Sequence, residues 1–219
     1  AMPNEVEAKR ILAAAGVPVV DERLATATNE AAKEASEIGF PVVMKLVSTD
    51  IPHKSEIGGV LLNVADYTAA WDGYETLIER AKTAQPNAQI DGVVVAPMIL
   101  GGVETILGVK VDPAFGPVVL FGLGGIFVEI LGDVSQRLAP FGVDEAHEMI
   151  REVKGFALLD GARGAEPADV DALAAALSRL SVFAHENAER IESIDINPFL
   201  VLPKGQGGFA VDAVIIPGK

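Results

Sequence analysis

Residues 41–47, Pro41-Val42-Val43-Met44-Lys45-Leu46-Val47, read as a strand, because a β-branched, apolar run of this length suits a buried position in a sheet. A single lysine sits inside it. An ammonium there needs an anion to meet it, since burying an uncompensated charge is costly. Just downstream, Ile51-Pro52-His53-Lys54-Ser55-Glu56-Ile57-Gly58-Gly59-Val60 ends on a Gly-Gly step, whose backbone N–H groups lie open to a phosphate. Lys45 with Gly58 and Gly59 therefore suggests a phosphate site. The same residues also fit a lysine that snorkels from a strand end and a glycine bulge. His53 is either a solvated loop residue or, beside Lys45 and Lys54, a nucleophile toward a phosphoryl group.

Outward from this stretch, Val6, Ile11, Leu12 and Ala15 mark a first helix stopped at Gly16, and Thr28 is placed to cap a second that ends at Gly39. Residues 60–64 read as a strand, 67–82 as an amphipathic helix and 92–98 as another buried strand. Residues 103–111 and 116–121 flank Asp112-Pro113 as strand, turn and strand, within a sheet expected to be mixed. Asp144 is placed to cap a helix reaching about Val153, and Pro167 opens a longer one carrying Leu173, Leu177 and Leu180 on one stripe. Two short strands finish the chain, residues 193–196 with 199–202, and 208–215. The order is neither a clean βαβα alternation nor all-β, so the expected class is α+β, in two subdomains divided near residues 98–102.

Composition removes several classes. The chain has 219 residues, half of them hydrophobic, which is too apolar for a disordered segment. With no Cys, neither disulfides nor thiolate zinc sites can form, and the three His (His53, His147, His185) are scattered. The 31 acidic residues against 17 basic ones, spread evenly, leave no basic patch for nucleic acid or an anionic membrane surface. No basic segment followed by an apolar one opens the chain, so no secretory leader is expected. The longest uncharged run, between Asp112 and Glu129, is shorter than the about 20 residues a membrane helix needs. A cytoplasmic protein is the expectation.

Two further motifs carry possible chemistry. Gly122-Leu123-Gly124-Gly125 follows an apolar strand, but the third glycine of a dinucleotide fingerprint would fall on Phe127, and no Walker sequence is present. A glycine turn beside a ligand and tight backbone packing both remain open for it. In Asp195-Ile196-Asn197-Pro198, period two puts Asp195 and Asn197 on one face of a strand, and residues 209–212 could pair alongside to add Asp212. Two carboxylates and an amide oxygen are hard ligands suited to Mg²⁺ with substrate phosphates; a polar strand end with an Asn-Pro turn explains the same residues.

Taken in order, these motifs resemble the ATP-grasp subunit or domain of the NDP-forming acyl-CoA synthetases, the ADP-forming acetate–CoA ligase type, relatives of the succinyl-CoA synthetase β subunit. Glu7-Ala8-Lys9, residues 41–45 and 51–60, Gly102-Val103-Glu104, Phe115-Gly116-Pro117-Val118-Val119, residues 122–125, Leu159-Asp160-Gly161, residues 195–198 and Val211-Asp212-Ala213 carry the resemblance. It implies an ATP-grasp fold with ATP bound between two α/β subdomains, at 19–98 and 99–219, and an N-terminal helix over 1–18 packing on the lid. It further implies that Lys45 holds ATP phosphates, Gly58 and Gly59 belong to a phosphate-covering loop, Val95, Ala96, Pro97 and Met98 face adenine, and Glu104 lies near the ribose. Asn197 and Asp212 would hold Mg²⁺, Asp195 would lie near a phosphohistidine, His53 would relay the phosphoryl group, and Arg137 would add a phosphate contact. The implied reaction is acyl-CoA + ADP + phosphate ⇌ carboxylate + ATP + CoA, with a separate CoA-binding α subunit as partner, without which the full reaction would not run. A stand-alone ATP-grasp carboxylate–amine ligase and a non-catalytic nucleotide-binding module are the alternatives.

Overall fold

The structure, a computed structural model, describes residues 2–51 and 54–218, the side chains of Ile126, Phe127 and Arg163 aside. The chain separates into two compact units, one of residues 20–100 and one of residues 1–19 with 101–219. Its elements are α1 (Glu5–Ala14), β1 (Arg23–Ala25), α2 (Thr28–Ile38), β2 (Val42–Val47), β3 (Val60–Val64), α3 (Tyr67–Ala84), β4 (Gly92–Pro97), β5 (Val103–Asp112), β6 (Gly116–Leu123), α4 (Ile126–Glu129), β7 (Val134–Leu138), α5 (Val143–Glu152), α6 (Val170–Glu186), β8 (Ile191–Val201), β9 (Gly208–Ala210) and β10 (Ala213–Pro217). Among the described residues no helix is long and apolar enough to cross a membrane.

In the unit of residues 20–100, four antiparallel strands run in the order β1-β4-β2-β3. Val42, Met44, Val93 and Val95 point to one side and pack with Ala31, Ala32, Ala35, Ala70 and Leu77 of α2 and α3. The small residues let the helices come close: a Cβ on Gly73 of α3 would meet the Met44 sulfur at 3.1 Å. Thr28 does not cap α2, as it is already helical. Instead Glu30 in the first turn accepts from the Thr26 N–H and hydroxyl, at 2.7 and 3.0 Å, and closes the helix entry from inside.

The other unit is built on a six-stranded sheet with the path β10-β8-β5-β6-β7 and β9 beside β8. Every pairing in it is antiparallel, against the expectation of a mixed sheet. Leu107, Val109, Val119, Phe121, Ile194 and Ile196 form its inner face and pack with Met149, Ile150, Leu173, Leu177 and Leu180 of α5 and α6. Asp169 caps α6 and also accepts from the Gly205 and Gly207 N–H groups, so Pro167 lies ahead of the helix rather than in its first turn. Gly142, not Asp144, precedes α5. Helix α1 opens with a full capping box, Asn4 with Glu7, and packs against β10. The strand expected at 208–215 is divided into β9 and β10, and the strand expected at 193–196 with 199–202 is β8, bulged where Asn197-Pro198 opposes Ile106 alone. Proline has no N–H for the ladder, so the bulge falls there.

Candidate functional site

The register of β2 sorts its residues by face. Val42, Met44 and Leu46 are buried toward the helix side, which leaves Lys45 on the opposite face, across from Val60 on β3 and Val94 on β4. Lys45 is half-buried, and among the described residues its ammonium makes no ion pair or hydrogen bond. An ammonium held on a mostly apolar sheet face without a partner is a standing electrostatic demand for an anion. Val95 and Ala96 are buried in β4, Pro97 ends the strand, and the Met98 N–H donates to the Pro41 carbonyl at 3.3 Å. Beyond them Gly101 and Gly102 both take positive φ, at +80° and +87°.

The glycine step acts differently from the expectation. The Gly58 N–H donates to the Ser55 carbonyl at 3.2 Å and the Gly59 N–H to the Lys54 carbonyl at 2.7 Å, closing the short 3₁₀ turn at Lys54–Ile57. Both amides are thus spent inside the turn here, where sequence reasoning had them facing a phosphate. The glycines serve shape: Gly58 has φ +66°, and a Cβ on Gly59 would stand 2.9 Å from the Lys54 oxygen. Arg80 of α3, which sequence reasoning passed over, donates to the Gly58 carbonyl at 2.6 Å and fixes the turn to the helix. Ser48 and Asp50 brace the chain ahead of it, the Ser48 hydroxyl donating to the Gln89 carbonyl and the Asp50 carboxylate accepting from the Gln89 N–H. His53 lies outside the described residues.

In the other unit, Asp195 pairs with Gly108 and Val214, on the face of the sheet away from α5 and α6. The Asn197 N–H donates to the Asp212 carbonyl at 3.2 Å, which sets Asp212 opposite Asn197, two positions along from the Asp195–Val214 pair. The three expected ligand-type residues therefore lie close together, at the middle of β8 and just ahead of β10. Partial desolvation first, and the charge of Asp212 second, push the Asp195 carboxyl above the ordinary carboxylate range. Lys110, opposite Ser193 on the same face, forms no ion pair with either acid. Two carboxylates repelling each other beside an amide oxygen are a donor set that a divalent oxygen-seeking cation relieves, so the residues fit Mg²⁺. Among the described residues no group of three or more His, Cys, Asp or Glu could hold a metal, so the candidate ligands are these two carboxylates and the amide.

Glu104 precedes the buried Thr105 on β5 and is exposed on that same outer face. Its carbonyl accepts from the Gly124 N–H at 2.8 Å, and a Cβ on Gly124 would meet the Glu104 Cβ at 3.1 Å. A Cβ on Gly122 would strike Val128 of α4. At these two glycines tight packing is the reading that holds. Arg137 does not join the outer face. It pairs with Val119, an inner-face residue, and its guanidinium is taken up by Glu145 and Glu152 of α5, the Glu152 contact at 3.0 Å. Those carboxylates hold the Arg137 pKa above its ordinary value, and a cation so occupied has little left for a phosphate. His147 stands 3.2 Å from Asp171.

A family described as the ATP-grasp domain matches residues 1–216. The β subunit of ADP-forming acetate–CoA ligase II of Pyrococcus furiosus is 46% identical over 212 residues, covering 97% of this chain and 90% of that one. The chain belongs to the ATP-grasp β subunits of this ligase family. Among solved structures, acetyl-coenzyme A synthetase 1 of Ca. Korarchaeum cryptofilum, in complex with coenzyme A, Ca-AMPCP and HgCl⁺, aligns with a TM-score of 0.93 at 45% identity, over 99% of this chain and 93% of that one. A second structure of that enzyme, with coenzyme A and Mg-AMPPCP and its phosphohistidine segment pointing towards the nucleotide binding site, aligns at 0.86 with 41% identity and the same coverage. The fold of this ATP-grasp β subunit is accordingly the α+β arrangement expected from its sequence.

Proposed function

We propose that this ATP-grasp subunit performs the nucleotide half of an ADP-forming acyl-CoA synthetase reaction, moving a phosphoryl group between ATP and a phosphohistidine. The observation that carries the reading is the pair Asp195 and Asp212 beside Asn197, without a cation to neutralise them among the described residues. The balanced half-reaction is phosphohistidine + ADP ⇌ histidine + ATP. It forms one P–O bond as one P–N bond breaks, and the histidine nitrogen recovers its lone pair. Such transfers depend on positioning and on neutralising phosphate charge more than on covalent help from the protein.

Within this reading Lys45 supplies the positive charge for the transferred phosphate, and Gly58 and Gly59 shape the loop that covers it. Residues 95–98 face the adenine and Glu104 the ribose. Asn197 and Asp212 would hold Mg²⁺, which would supply positive charge to offset that of the phosphates. Asp195 orients the phosphohistidine, and His53 carries the phosphoryl group as the relay nucleophile, neutral when it attacks. A separate chain that binds CoA and the acyl group completes the reaction, consistent with the name of the Pyrococcus relative as one subunit of a ligase. The cytoplasm, where ATP and ADP are abundant, is the proposed location.

Intact-mass measurement after incubation with Mg-ATP tests the proposal. One acid-labile phosphoryl adduct is expected on the wild type and none on His53→Ala. An unmodified wild type that binds ATP tightly, or full acyl-CoA turnover by this chain alone, contradicts it.

A further inference from the structure

Helix α1 carries a lysine where its neighbours are apolar. Ala8, Lys9 and Leu12 are all buried, and Lys9 is only 1% exposed, among the largest fully buried side chains of the protein. Its ammonium donates to the Val211 carbonyl at 3.0 Å, across 202 residues of chain. Val211 precedes Asp212, the carboxylate assigned above to Mg²⁺. Backbone bonds also hold the segment: the Ala210 N–H donates to the Pro18 carbonyl at 2.9 Å, the Val211 N–H to the Pro198 carbonyl at 3.0 Å, and the Asp212 carbonyl accepts from Asn197. The Asp212 carboxylate itself receives the Ala213 N–H at 2.9 Å. Lys9 is the charged side chain in this set of bonds.

We infer that Lys9 is a positioning residue for the metal-binding carboxylate. Its bond to the Val211 carbonyl fixes the peptide from which Asp212 projects. The bond joins α1 to the segment that carries Asp212, so a change at position 9 is felt at the backbone of residues 211–212. Residues that orient metal ligands from behind set metal affinity through the geometry they impose. The inference rests on the proposed function, because it assigns Lys9 to the same Mg²⁺ site.

The test compares two variants that each remove a side-chain bond to the backbone at α1. Lys9→Met removes the bond to Val211. Arg179→Met removes the bond from Arg179 to the Gly16 carbonyl, 2.9 Å, just past the end of α1. Binding of an ATP analogue is titrated with Mg²⁺ for each, alongside thermal melting and amide exchange of residues 210–213 without metal. Lys9→Met is expected to raise the Mg²⁺ midpoint about tenfold and to speed exchange at 210–213, whereas Arg179→Met lowers the melting temperature and leaves both unchanged. An unshifted midpoint in Lys9→Met, or an equal shift in Arg179→Met, overturns the inference. If Lys9→Met does not fold, Lys9→Gln, which keeps a polar head without the charge, is held to the same outcomes. A wild type with no Mg²⁺-dependent nucleotide binding overturns the proposed function instead, and wild-type binding with an unshifted Lys9 variant overturns this inference alone.

Discussion

On the helix-covered face of the six-stranded sheet Arg137 meets Glu145 and Glu152; on the opposite face Asp195 and Asp212 meet no cation among the described residues. The same alternation of strands produces both. Val119 and Arg137 are opposite one another on the inner side, and Gly108 and Asp195 on the outer. The difference teaches which charges are structural: a charge whose neighbours already neutralise it belongs to the fold, and one left with a like-charged neighbour is waiting for a ligand. Lys45 makes the same point with opposite sign in the four-stranded sheet.

The largest effect expected from this contrast is at Lys45. Lys45→Met should slow phosphoryl transfer by about 10²–10³-fold, the scale of losing one preorganised charge at a transition state, with the melting temperature unchanged. A rate close to wild type would mean that the unpartnered ammonium is not addressed to phosphate. Arg137→Met is the converse. It strands two partly exposed carboxylates of α5 and lowers the melting temperature by about 2 °C, with phosphoryl transfer intact. Loss of transfer at wild-type stability would return Arg137 to the phosphate.

The smallest effect is a pH dependence. The folded state raises the Asp195 carboxyl, so it holds that proton more tightly than the unfolded chain does. Ionisation therefore costs stability: with Mg²⁺ chelated, this contribution declines as pH climbs from the ordinary carboxylate range through the raised value, and it is fully present below. Asp195→Asn should flatten that part of the profile of melting temperature against pH. Superimposable profiles for variant and wild type would remove the repulsion between Asp195 and Asp212 as a factor.

Much of this arrangement was legible in the residues. The strand at 41–47 with its lysine, the hairpin about Asp112-Pro113 and the period-two placement of Asp195 and Asn197 follow from local pattern, and all three appear in the structure. Ends and faces were less legible. Ile11 reads as part of the apolar stripe of α1 but is 39% exposed, while Lys9, three residues before Leu12 on the same stripe, is buried. A lysine at a stripe position is the signal that could have found it. The amides of Gly58 and Gly59 look free in a sequence because the turn that consumes them depends on carbonyls three and five residues back.

Which residues can carry charge, which segments alternate and where the chain must turn are properties of neighbours along the chain, and they were readable there. Which charges are satisfied is a property of neighbours across it. Arg137 and Lys45 are both lone cations within strands, and nothing local separates them. Only the packing of α5 against β7 brings Glu145 and Glu152 to the first, while the face of β2 turned from α2 and α3 leaves the second without a partner among the described residues, because electrostatic neutralisation depends on distance in space and not on position in the chain.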